Sequence, residues 1–152
     1  MRLLATLVAV ALAGACIGPF SEMQERHYPD KDAARAGDPS GWIPAILPND
    51  AMRIREVHRL DSSRTWGCFN TRRAEEVRAL LTGLRAYEAP GPIANPPAEI
   101  FRDFSWWPDS MSGNGFEAWE FHEASGCSAC TPTIVRVGID ARSGTVCFHR
   151  KT

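Results

Sequence analysis

The chain has 152 residues, with 17 Lys plus Arg against 18 Asp plus Glu and a formal net charge of −1. So close a balance excludes a nucleic-acid surface and an acidic interaction tail, and the length suits one compact domain rather than two. Five tryptophans and seven phenylalanines supply core material, while eleven prolines and twelve glycines imply long irregular connections.

The N-terminus reads as an export signal over residues 1–15. Arg2 gives the positive start, Leu3 to Ala13 is an uncharged apolar run, and Ala13-Gly14-Ala15 offers small residues for a signal peptidase. The run spans about 16 Å at helical rise, too short for a hydrocarbon core of about 30 Å. Read as Ala13-x-Ala15, the site suits ordinary cleavage and a soluble product. Read as Leu12-Ala13-Gly14-Ala15-Cys16, it resembles a bacterial lipobox, with Ala13 where Leu is usual. The second reading is favoured because Cys16 directly follows the cut. It implies palmitate and diacylglycerol on Cys16, a membrane partner through that anchor, and an outer-membrane lipoprotein facing the periplasm, since Ile17 follows the cysteine.

Residues 16–40 are polar and turn-rich and read as a tether, with a short helical turn at Lys31 to Ala36; a single domain is expected over 41–152. Pro44 and Pro48 bracket an apolar segment in which a turn of helix or an extended edge is expected. Met52 to Leu60 alternates, Asp61-Ser62-Ser63 supplies turn chemistry, and Thr65 to Asn70 follows, so 52–70 reads as a β-hairpin. Thr71 is placed to cap a helix from Arg72 to about Arg85, whose Val77, Leu80, Leu81 and Leu84 form one apolar stripe. Residues 86–114 hold five prolines, and Phe101, Phe104, Trp106 and Trp107 among them suggest a covering loop. Phe116 to Glu123, Thr133 to Asp140 and Thr145 to Arg150 are the last strands. The loop 141–144 pairs Ile139 with Val146 and Val137 with Phe148. The fold class is α+β: a mostly antiparallel sheet of about five strands, in the order β-β-α-β-β-β, with one helix packed on one face.

With Cys16 set aside, Cys68, Cys127, Cys130 and Cys147 remain, an even number for an oxidising compartment. If Phe69 and Phe148 face the helix-covered core, the neighbouring thiols project from the other side of the sheet, where Gly138 leaves room. Disulfides Cys68–Cys147 and Cys127–Cys130 are therefore expected. The alternative for Cys127-Ser128-Ala129-Cys130 is a thiol–disulfide oxidoreductase pair, but no helix N-terminus lies between the flanking strands to lower a thiol pKa. A zinc-binding module using His122, Cys127, Cys130, Cys147 and His149 is weaker still, since a second closely spaced ligand pair is missing.

Glu56 and His58 share a strand face by period two, with Asp61 and Ser62 nearby. This possible polar site lacks a nucleophile elbow or oxyanion motif, and such residues more often form the polar, solvated or hydrogen-bonded face of a strand. Trp66, Trp106, Trp107 and Trp119 read as cover for the sheet more readily than as a ligand groove.

The run Gly41-Trp42-Ile43-Pro44-x-x-Leu47-Pro48, followed by Ile54-Arg55-Glu56-Val57-His58-x-x-Asp61, resembles small exported bacterial proteins of unknown function. The resemblance covers residues 41–70, about a fifth of the chain, and departs at Ser62-Ser63, where Thr-Asn is the usual form. It implies domain identity and location only. The expected function is therefore that of a non-catalytic, envelope-anchored binding or structural domain, with no cofactor or metal, an envelope protein as possible partner, and no nucleic acid.

Overall fold

Tyr28, the only buried side chain of strand β1 (Met23–Asp30), points into the same core as Ile54 of β2 (Met52–Arg59), its Cα partner across an antiparallel pair. The computed structural model describes residues 23–60, 62–88, 106–108, 115–123 and 131–151. Five further strands follow: β3 (Arg64–Asn70), β4 (Tyr87–Glu88), β5 (Phe116–Glu123), β6 (Thr133–Asp140) and β7 (Thr145–Lys151). All seven form one antiparallel sheet in the order β1-β2-β3-β7-β6-β5-β4. Helices α1 (Lys31–Gly37) and α2 (Ala74–Gly83) complete an α+β fold.

Alternation along the strands separates two faces. One carries Ile54, Phe69, Phe121, Val135, Val137, Ile139, Val146 and Phe148, and is covered by Ala34 of α1, Ile46 and Leu47, and Val77 and Leu81 of α2. On the opposite face Val57, Trp66, Cys68 and Cys147 pack beneath Trp107. Burial of these apolar side chains, each contributing on the order of 1.5–3 kcal/mol, is the main stabilising contribution.

The last hairpin has the expected register: Ile139 opposes Val146 and Val137 opposes Phe148. The turn places Gly144 at φ +69, where a Cβ would strike the carbonyl of Thr71. Cys68 and Cys147 are Cα partners across β3 and β7 and form a disulfide. Phe69 and Phe148 do face the core, and Gly138 opposes Cys147 on the other side. This bridge crosses the seam between the first three strands and the last four. Beside it the Phe148 ring lies over Gly67, where a Cβ would also meet the Arg55 carbonyl at 2.8 Å.

Four expectations need correction. Residues 23–30, read as part of the tether, form β1, while the helical turn expected at Lys31 to Ala36 is present as α1; an edge strand packs on one side only, so its sequence stays polar and shows no apolar period. Among the described residues the sheet has seven strands rather than about five, because β1 and the two-residue β4 carry too few apolar residues to register in the sequence. The α2 helix begins at Ala74, without a side-chain cap from Arg73. Thr71 instead accepts the Arg73 N–H at 3.0 Å and donates to Asp50 at 2.6 Å, while Asp50 accepts the Arg72 N–H at 2.9 Å. Leu80 is 36 % exposed, leaving Val77 and Leu81 as the buried part of the helix stripe. The segment between Pro44 and Pro48 is a turn with Ile46 and Leu47 buried.

Candidate functional site

Period two puts Ile54, Glu56 and His58 on the helix-covered face of β2. Across the ladder Glu56 lies between Arg26 of β1 and Gly67 of β3, and His58 between Gln24 and Thr65. The preceding irregularity between Met52 and Arg55, with Arg53 at φ 52, sets this phase. Glu56 and His58 are 0 % and 1 % exposed, and His58 Nδ1 lies 3.0 Å from Glu56 Oε2.

A loop roofs the pair. Asp38 ends α1 by donating its N–H to the Ala34 carbonyl at 2.9 Å, and its carboxylate accepts the N–H groups of Trp42 at 3.0 Å and Ile43 at 2.8 Å. Gly41, at φ +65, supplies the left-handed turn between them. The Trp42 indole then stacks on the His58 imidazole, with ring centres 4.5 Å apart and planes within 7°. From below, Arg26 Nη1 and the Tyr28 hydroxyl donate to the Gly37 carbonyl at 3.0 and 3.2 Å, which ties the end of α1 to the edge strand. Arg26 Nε stands 3.9 Å from Glu56 Oε1, too far for a hydrogen bond.

Burial governs the protonation states. It pushes the Glu56 carboxyl up to about 8, with Asp38 adding to the shift and Arg26 opposing it. Burial, reinforced by Arg26, holds the His58 imidazole below its ordinary value. Both shifts favour neutral forms, so at pH 7 one proton lies on the Nδ1···Oε2 line. Glu56 Oε1 and His58 Nε2 meet no hydrogen-bonding partner in the structure. A Glu–His pair is competent to relay a proton, but both groups lie beneath Trp42, out of reach of a substrate in this conformation.

Of the expected site residues, Glu56 and His58 are brought together, buried rather than on a solvated face. Cys16, Asp61, Cys127 and Cys130 lie outside the described residues, as does the Cys127–Cys130 bridge. Cys147 is held in its disulfide and offers no thiolate to a metal. Among the described residues no group of three His, Cys, Asp or Glu side chains is placed to hold a metal ion. The four tryptophans do not form one groove: Trp119 packs on the helix-covered core, and Trp66, Trp106 and Trp107 on the opposite face. Sequence reasoning missed Arg26, Tyr28 and Asp38. The spacing of Trp42 from Glu56 and His58 in one run was the available signal, since those residues meet in space.

Residues 22–70 match the YbbD head domain. That match takes in β1, α1, β2 and β3, about a third of the chain, and contains every residue of the Glu56–His58 cluster. No curated protein and no solved structure matches the chain.

Proposed function

We propose that this protein is exported, anchored to the envelope through lipid on Cys16, and acts there as a non-catalytic binding or structural domain. The observation that carries the reading is the Cys68–Cys147 disulfide, whose half-cystines are 7 % and 0 % exposed. Such cross-links persist in oxidising compartments and are rare where thiols are kept reduced. The export signal supports the same compartment. The enclosed Glu56–His58 pair supports a structural role: it ties β2 to the Trp42 loop, and its groups face packed protein. Ile17 after Cys16 favours the outer membrane, and the expected partner is another envelope protein.

Metabolic labelling with palmitate tests the anchor. The unmodified chain is expected to carry label and to sediment with membranes, whereas Cys16→Ser carries none. Recovery of an unlabelled cytoplasmic chain that still begins with Met1 would overturn the proposal.

A further inference from the structure

On the face away from the helices, β3, β7, β6 and β5 enclose a recess of about 350 Å³ lined by Arg64, Glu120, Ile134, Arg136, His149 and Lys151. Its volume lies at the lower end for small-molecule sites. Arg64 and Lys151 are Cα partners, so two cations stand side by side in one row of the sheet, an arrangement that destabilises strand pairing when nothing neutralises it. Neither has a carboxylate partner among the described residues. In the adjoining row His149 opposes Arg136, and Arg136 opposes Glu120. Glu120 accepts from Arg136 Nε at 2.6 Å and from the Tyr87 hydroxyl, and the Tyr87 hydrogen bond in particular keeps its carboxyl below the ordinary range. Arg136 is committed to Glu120, which leaves a surplus of two positive charges, on Arg64 and Lys151.

The second observation comes from His149. Its ring is stacked on Trp66, with centres 5.2 Å apart and planes within 16°, and its Nε2 is buried without a hydrogen-bonding partner. Burial first, then Arg64, Arg136 and Lys151, push the imidazole down to about 4. A neutral imidazole edge beside the two uncompensated cations Arg64 and Lys151 is the environment that an incoming dianion would relieve.

We propose that this recess binds a phosphate group, with Arg64 and Lys151 supplying the uncommitted charge, Arg136 completing the cationic wall and the His149 ring in its lining. Guanidinium forks match phosphate oxygens in pairs, and a phosphate monoester carries the two negative charges that the surplus calls for. The recess exceeds a bare phosphate, leaving room for the group esterified to it. This site lies on the other side of the sheet from Glu56 and His58, and its occupancy does not depend on export.

The test follows the His149 imidazole by NMR in the full chain while inorganic phosphate is added at constant ionic strength. A saturable shift is expected, together with an upward move of the His149 titration midpoint, because a nearby anion favours the charged ring. The double variant Arg64→Gln/Lys151→Gln is expected to weaken the response by roughly tenfold or more, whereas Arg35→Gln/Arg72→Gln, equal in charge change but elsewhere on the surface, leaves it intact. Vesicles of phosphatidylglycerol, compared with phosphatidylcholine, separate the sources. A response to inorganic phosphate assigns the site to soluble phosphate or its esters, and a response to phosphatidylglycerol alone assigns it to a lipid headgroup. No response to either, or one that survives Arg64→Gln/Lys151→Gln, overturns the proposal.

Discussion

Removing the cross-link with Cys68→Ala/Cys147→Ala is expected to lower stability by about 4.5 kcal/mol, the chain-entropy value for a bridge whose ends are separated by 79 residues. For a domain of this size that corresponds to a fall in melting temperature of about 15 °C. The size of the effect follows from where the bridge sits. It closes the strand pair, β3 with β7, that joins the sheet's two halves, and so constrains the unfolded chain over about half of its length. Calorimetry with and without a reductant separates this contribution from lost packing. Reductant should lower the melting temperature of the unmodified protein towards that of the double variant and move the variant far less, since only the short Cys127–Cys130 bridge expected from the sequence would remain to be opened there. Equal melting temperatures for the two proteins without reductant would show that the bridge contributes nothing.

The second large effect is a pH dependence centred on Glu56. Its carboxyl is raised from 4.5 to about 8 in the folded protein, so between those values the native state keeps a proton that the unfolded chain has released. Stability is therefore lost as pH rises, by about 1.4 kcal/mol per unit where nothing opposes it. His58 and His149 act in the other sense. Both are lowered from 6.5, His149 to about 4, so below 6.5 the unfolded chain takes up protons that the native rings refuse, and stability falls on acidification. The slopes oppose one another below pH 6.5, and above it Glu56 acts alone among the three. Stability is expected to peak near pH 6.5 and to drop by about 2 kcal/mol by pH 8. Glu56→Gln keeps a donor for His58 Nδ1 and removes the titration, so its urea midpoint should stay level over that interval. The same decline in Glu56→Gln as in the unmodified chain would assign the effect to another group.

How far the sequence could be read depended on whether an element answers to its own residues or to distant ones. The β6–β7 register was legible because Val137 and Ile139 alternate in step with Val146 and Phe148, and a slip of one would expose all four. The same alternation, carried from Phe69 to Cys68 and from Phe148 to Cys147, placed both sulfurs on one face. Strand β1 was not legible: its pairing rests on main-chain hydrogen bonds, which leave no apolar pattern in an edge strand whose only buried side chain is Tyr28. The start of α2 was missed because Asp50, more than twenty residues upstream, supplies the acceptor for Arg72. At the candidate site, period two put Glu56 beside His58. Their complete burial depends on a roof that Asp38 organises and on a β1 strand that the sequence read as tether, so it was invisible in the strand itself.

The most direct measurement is differential alkylation of thiols in intact cells, followed by a peptide map without reduction. The proposed export expects Cys68 and Cys147 to be protected from alkylation and recovered as one cross-linked peptide from the membrane fraction. Quantitative alkylation of both residues in protein from the cytoplasmic fraction would contradict it.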